Sequence, residues 1–288
     1  MIKITGLLCI SLTTLNCIAQ TGSEIYLFNL QLKKDKITLT NAENITNHKG
    51  YDNQPFFHPD KTIVYFTSAD TSGRTDIVTY DYSTNETKKF TNSPEREYSP
   101  TVTPDKKFIS CIIQRDDGTQ DLGKYPIDGG EPIVIVNTLK VGYHAWADTE
   151  TLILFVLGEP TTLHWFTVSD GKDLILAENI GRSLHAIPKS TNLSFVHKVS
   201  SGQWLIKQIE KQNKNVVTLT ETLNNKEDLA WTPDGRIVMS DGEKLFYFQP
   251  GEGKIWKEVE INSSFPLKGM SRISVNRKGD KMAIVISE

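Results

Sequence analysis

The sequence predicts an all-β protein: a six-bladed β-propeller of four-stranded antiparallel blades, its ring closed by strands from both termini. Three observations carry this. A turn motif built on Pro-Asp returns on an even pitch, the segments between its copies alternate like short strands, and helix patterns are nearly absent. The anchors of the motif are Pro59 (FFHPDKTIVYF), Pro104 (TVTPDKKFISC), Asp148 (AWADTETLILF), Lys189 (AIPKSTNLSFV), Pro233 (AWTPDGRIVMS) and Arg277 (SVNRKGDKMAI), stepping by 45, 44, 41, 44 and 44 residues.

Each unit reads as four strands. In the unit at Pro59, residues 55–58 approach a turn at Pro59-Asp60-Lys61, where proline presets φ and aspartate can bond its own backbone. The same turn recurs as Pro104-Asp105 and Pro233-Asp234-Gly235. Residues 62–68 (TIVYFTS) form an apolar, β-branched second strand. Residues 75–82 (TDIVTYDY) alternate as a half-exposed third strand should, and 87–91 (TKKFT) make a charged outer strand that protects the blade edge. In the unit at Pro233 the later strands are 237–240, 244–249 and 255–261. Residues 24–32 and 36–40 resemble third and fourth strands with no first and second before them, and 273–287 supplies the missing pair. Joined, they complete a sixth blade in which MAIVIS pairs with EIYLFNL. Residues 221–228 hold the one plausible helical turn and read as a loop between blades.

The chain of 288 residues carries a net charge of −3 with both signs scattered, which excludes a nucleic-acid surface or an acidic tail. Residues 1–19 read as a secretory signal peptide. Lys3 is followed by an apolar run too short to span a membrane, and Cys17-Ile-Ala19 offers small residues at a cleavage site. Residues 20–288 are then a single propeller domain, periplasmic or secreted, with no transmembrane segment after signal removal. Lipidation at Cys17 is the second reading of the same stretch. Cleavage after Ala19 removes Cys9 and Cys17 and leaves Cys111, in an apolar strand, as a small buried hydrophobe.

Trp231-Thr-Pro-Asp-Gly235, with His58-Pro-Asp60 and the YFTSAD that follows, resembles the PD40 or WD40-like repeat of TolB-type propellers. Asp76-Ile-Val-Thr-Tyr-Asp81 is similar to the third strand of that repeat and Lys89-Phe-Thr91 to its closing segment. The likeness extends over residues 24–288, with degenerate copies at Trp146, Ile187 and Val275. It implies a periplasmic or surface protein that presents one end of a ring to a protein or peptidoglycan-linked partner. The N-terminal α/β domain that TolB itself carries has no counterpart here, so a direct TolB role is not expected.

Chemistry is sparse. G-x-S-x-G, H-E-x-x-H, G-x-x-x-x-G-K-[ST] and the calcium loop D-x-[DN]-x-[DN]-G are missing, and no cofactor is expected. Of six histidines, His144 and His185 each lie four residues before their anchors, where Asp228 or Arg272 can join them. Such a set could hold a metal or ligand, but Pro55, Pro100, Leu229 and Ile273 occupy the same place in other blades, so each histidine can equally fill a packing position. Phe57, Trp146 and Trp231 recur in register and read as blade packing. Tyr51, Tyr98 and Tyr143 precede successive inner strands, and with Asp52, Arg96, Glu97 and Arg272 they make a candidate interaction mouth. The reading is thus an exported, non-catalytic propeller that binds a protein or cell-envelope ligand. The alternatives are a channel-centred, metal-assisted lyase or hydrolase acting on a glycan, and a structural module of an envelope complex.

Overall fold

In the computed structural model, which describes residues 22–253, 255–263 and 267–287, six antiparallel blades surround a central channel. From the channel outward, blade II is Asp52–Phe57, Ile63–Ala69, Thr75–Asp81 and Glu86–Lys89. Blade III is Arg96–Val102, Phe108–Gln114, Gln120–Pro126 and Ile133–Val136. Blade IV is Val141–Trp146, Thr151–Val156, Thr162–Thr167 and Asp173–Glu178. Blade V is Ile180–Ala186, Leu193–Ser200, Gln203–Ile209 and Val216–Glu221. Blade VI is Leu229–Trp231, Ile237–Ser240, Leu245–Phe248 and Lys257–Glu258. The expected signal segment, with Cys9 and Cys17, lies outside the described residues.

Blade I closes the ring as the sequence predicts. Met270–Val275 and Lys281–Ser287 come from the C-terminus, and Ser23–Lys33 and Lys36–Asn44 from the N-terminus. The seam runs in register from Ser23 opposite Ser287 to Asn29 opposite Lys281. The predicted strand 255–261 is divided between two blades. Lys257–Glu258 ends blade VI, Val259 is buried, and Glu260–Ile261 leaves to pair in parallel with Thr38 and Leu39 of blade I. Lys36 holds Glu260 at 2.5 Å, so charge as well as the ladder latches blade VI to the seam. The segment 221–228 is a loop with one 3-10 turn, Leu223–Asn225.

Apolar faces of neighbouring blades meet and form the core. Between blades I and II, Ile25, Leu27, Val285, Val64 and Phe66 are almost wholly buried. Each such side chain contributes about 1.5–3 kcal/mol by leaving water. Cys111 is a free thiol buried in the cluster between blades II and III, where burial pushes its pKa up. The recurring tryptophans stitch blades together: Trp146 Nε1 donates to Ser110 Oγ of blade III and Trp231 Nε1 to Ser194 Oγ of blade V, both at 2.8 Å.

The turns after the first strands use the residue before the anchor. Thr103 and Thr232 hydroxyls donate to Asp105 and Asp234, and Gly235 takes φ 94° in the tightest copy. In blade II, His58 Nδ1 accepts from the amides of Asp60 and Lys61. Asp60 occupies this turn, but its carboxylate does not bond the turn's backbone. With His58 holding the backbone, its carboxylate is free to reach Lys106 and, at 3.6 Å, Arg277.

Candidate functional site

The first strands of five blades carry a bulge at matching places: in the intervals 53–56, 98–101, 141–143, 180–184 and 270–273. A bulge turns two consecutive side chains toward one face, where a regular strand would alternate them. Gln54 and Ser99 sit at these bulges with φ 58° and 56°. In blades II and III the bulge residues themselves, Gln54-Pro55 and Ser99-Pro100, reach one mouth of the channel. With Tyr143-His144, Leu184-His185, Asp228-Leu229 and Arg272-Ile273, one pair per blade, they line a cavity of about 110 Å³.

Charge closes this mouth. Arg272 of blade I extends across the channel to blade IV, directly opposite. It donates to Tyr143 Oη at 2.8 Å and lies 4.7 Å from the centre of that ring. Its Nε is 3.3 Å from Asp228 Oδ1. Arg182 grips the same carboxylate with Nε and Nη2 at 3.1 and 2.7 Å, and approaches Glu227, which also holds Lys198 at 3.1 Å. Burial alone would raise the Asp228 pKa; Arg272, Arg182 and His185 outweigh it and hold the carboxyl below its usual range. Burial likewise opposes the charge on Arg182, and Asp228 more than restores it.

Both histidines are neutral at ordinary pH. Burial pushes His144 down to about 3, and burial with the nearby Arg272 charge lowers His185 against the pull of Asp228. His144 Nε2 meets Ser110 Oγ at 2.7 Å, and His185 Nε2 meets Ser183 Oγ at 3.0 Å. The buried His144 Nδ1 has no hydrogen-bond partner. His144, His185 and Asp228 do line one cavity, yet they do not present a ligand set. The carboxylate faces two guanidiniums, and no group of three or more His, Cys, Asp or Glu suited to a metal occurs among the described residues.

The candidate interaction mouth divides. Tyr143 and Arg272 are in the ring. Tyr51 stands beside it, its pKa raised first by burial and then by Tyr143, partly offset by Arg272. Tyr98 and Arg182 act on the same hydroxyl, which places them at this mouth too. Arg96 turns sideways to Asp116 at 2.6 Å. Asp52 and Glu97, expected on a polar rim, are instead fully buried. Asp52 opens the first strand of blade II and Glu97 is the second residue of that of blade III, and both face neighbouring structure: Glu97 accepts from Thr91, Ser93 and Tyr125, and Asp52 Oδ2 lies 3.1 Å from His48 Nε2. Arg182 went unread in the sequence. It lies seven residues before its anchor, and only the long bulge of blade V brings it to the ring.

Neither a family model nor a curated protein sequence matches the chain. Solved structures do. A TolB-type protein from Agrobacterium tumefaciens superimposes with a TM-score of 0.72 at 14% identity, covering 94% of this chain and 99% of that one. The fold is TolB-like. TolB from Acinetobacter baumannii gives 0.59 at 15% identity over 93% of this chain, which spans 64% of the Acinetobacter protein. An oligogalacturonate lyase in complex with manganese gives 0.54 at 14% identity, covering 91% of this chain and 78% of the lyase. At such identity the likeness concerns the scaffold, and chemistry has to be argued from the site. No helix among the described residues is long and apolar enough to cross a membrane.

Proposed function

We propose that the protein is an exported, non-catalytic propeller that recognises a protein or cell-envelope ligand at the mouth formed by Tyr51, Tyr98, Tyr143, Arg182 and Arg272. One observation carries this reading: the Arg182–Asp228–Arg272–Tyr143 network spans the mouth and engages its charged groups with one another. Such a surface offers half-buried aromatic faces and fixed guanidiniums, the side chains that dominate binding energy at protein interfaces. It offers no activated nucleophile. Export rests on the reading of residues 1–19, and an envelope partner on the resemblance to TolB-type repeats.

The test is retention of an envelope component by the immobilised chain, compared with Arg272→Glu and Tyr51→Ala variants. Retention lost in both, with unchanged circular dichroism, supports the mouth. Retention indifferent to both variants sinks it.

A second reading, a metal-assisted lyase or hydrolase, is kept alive by the unpartnered Nδ1 of His144 in the channel wall. Elemental mass spectrometry of protein purified under metal-replete conditions decides it. One equivalent of a transition metal, absent from a His144→Ala/His185→Ala variant, would favour the enzyme over the binder.

A further inference from the structure

The first strands run away from the tyrosine mouth and end at the anchor turns, where the channel opens again. There the cavity is larger, about 660 Å³, and it is continuous through a middle section of about 400 Å³ with the level of His144 and His185. Its wall is apolar: Phe56, Val102, Pro104, Pro188, Trp231 and Val275. The far end is obstructed by Arg272 crossing to Tyr143, so the space is a funnel with one wide opening.

The charged side chains lining this funnel are Lys106, Lys189 and Arg277, with no acid among the described lining residues. Two of them occupy anchor positions that carry proline in blades II, III and VI. The one acidic anchor, Asp148, is turned aside by Lys211 at 2.5 Å and does not line the cavity. Asp60 is shared between Lys106 and Arg277, which leaves one of those two charges uncompensated. Lys189 is exposed, and its side chain has no hydrogen bond or ion pair among the described residues. A cavity of several hundred Å³, apolar within and carrying a few convergent polar groups, has the make-up of a small-molecule site.

We infer that this funnel is a second binding site, distinct from the proposed interaction mouth, for an organic anion with an apolar body. The carboxylate or sulfonate sits at the Lys106–Lys189–Arg277 rim, and the apolar part lies along Phe56, Val275 and Trp231. The rim sets selectivity by charge, and the wall supplies affinity by burial.

Two fluorescent probes of similar shape separate these contributions: anionic 8-anilinonaphthalene-1-sulfonate and uncharged N-phenyl-1-naphthylamine. The folded chain is expected to bind the anionic dye at one site, at least tenfold more weakly in Lys189→Glu/Arg277→Glu. The neutral dye should change less than twofold in the same variant. Dodecanoate should displace the anionic dye, and raising the salt from 50 to 500 mM should weaken it. Val275→Phe, which narrows the funnel, should weaken both dyes. Absence of saturable binding overturns the inference, as does indifference to the charge reversal. Loss of dye binding in Arg272→Ala with Lys189→Glu/Arg277→Glu unaffected would move the ligand to the other mouth and also overturn it. The envelope-retention experiment uses different variants, so either site can fail alone.

Discussion

Two buried side chains on first strands impose opposite pH dependences on stability. Burial pushes Asp52 up to about 6 despite Ser68 and His48, while burial pushes His144 down to about 3. Between pH 4 and 6 the native state keeps a proton on Asp52 that the unfolded chain has released, so stability from this group falls as pH rises through 6. Between pH 3 and 6.5 the unfolded chain protonates His144 while the native state does not, so that contribution is lost as pH falls. In the wild type the two slopes offset each other. Asp52→Asn removes the first and leaves the second. Its thermal midpoint should match the wild type near pH 4 and exceed it at pH 8, by an amount corresponding to about 3 kcal/mol. A differential scanning series from pH 3 to 8 measures this. A variant profile parallel to the wild type would show that Asp52 titrates alike in the folded and unfolded chain.

At the level of the strand, the same bulges that aim residues into the channel decide what was readable in the sequence. The anchors at Pro59, Pro104 and Pro233 were legible because turn chemistry is local and repeats on an even pitch. His144, Asp228 and Arg272 were legible as positions, since their offsets from the anchors are fixed. Their partnerships were not: that Arg272 reaches the opposite blade follows from the channel width, which no offset encodes. Asp52 and Glu97 were misplaced because strand alternation upstream of a bulge runs out of phase with the residues after it. The second strands carry a further dependence. Ser110 Oγ serves both Trp146 Nε1 and His144 Nε2, whereas Ser194 Oγ serves Trp231 Nε1 alone. Ser110→Ala strands two buried polar groups and should cost about 3 kcal/mol, against roughly 1–2 kcal/mol for Ser194→Ala. Urea midpoints with an unchanged slope would measure both losses. Equal losses would mean that the His144 bond adds nothing.

For the whole ring, the question is what keeps blade I and its neighbours from parting. The seam between Ser23–Lys33 and Lys281–Ser287 joins the two ends of the chain by ladder hydrogen bonds within one blade. Elsewhere, neighbouring blades meet chiefly through side chains, with the short Glu260–Ile261 latch as an addition. Because Ser23 lies opposite Ser287, a short linker can join these two residues and the chain can be reopened at another exposed site. Opening between Asn224 and Asn225, in the exposed loop between blades V and VI, makes every blade from consecutive strands and abolishes any interlocked seam. Opening between Ser72 and Gly73, in the exposed turn of blade II, transfers the two-plus-two seam to that blade. Both permutants carry the same linker and the same contacts, so linker cost cancels between them. The Ser72/Gly73 permutant should keep a urea midpoint near the wild type. The Asn224/Asn225 permutant should unfold at lower urea with a similar slope, because its last closure depends on side-chain contacts and the short latch. Identical midpoints would mean that packing between blades alone holds the ring and that the strand exchange in blade I serves another purpose.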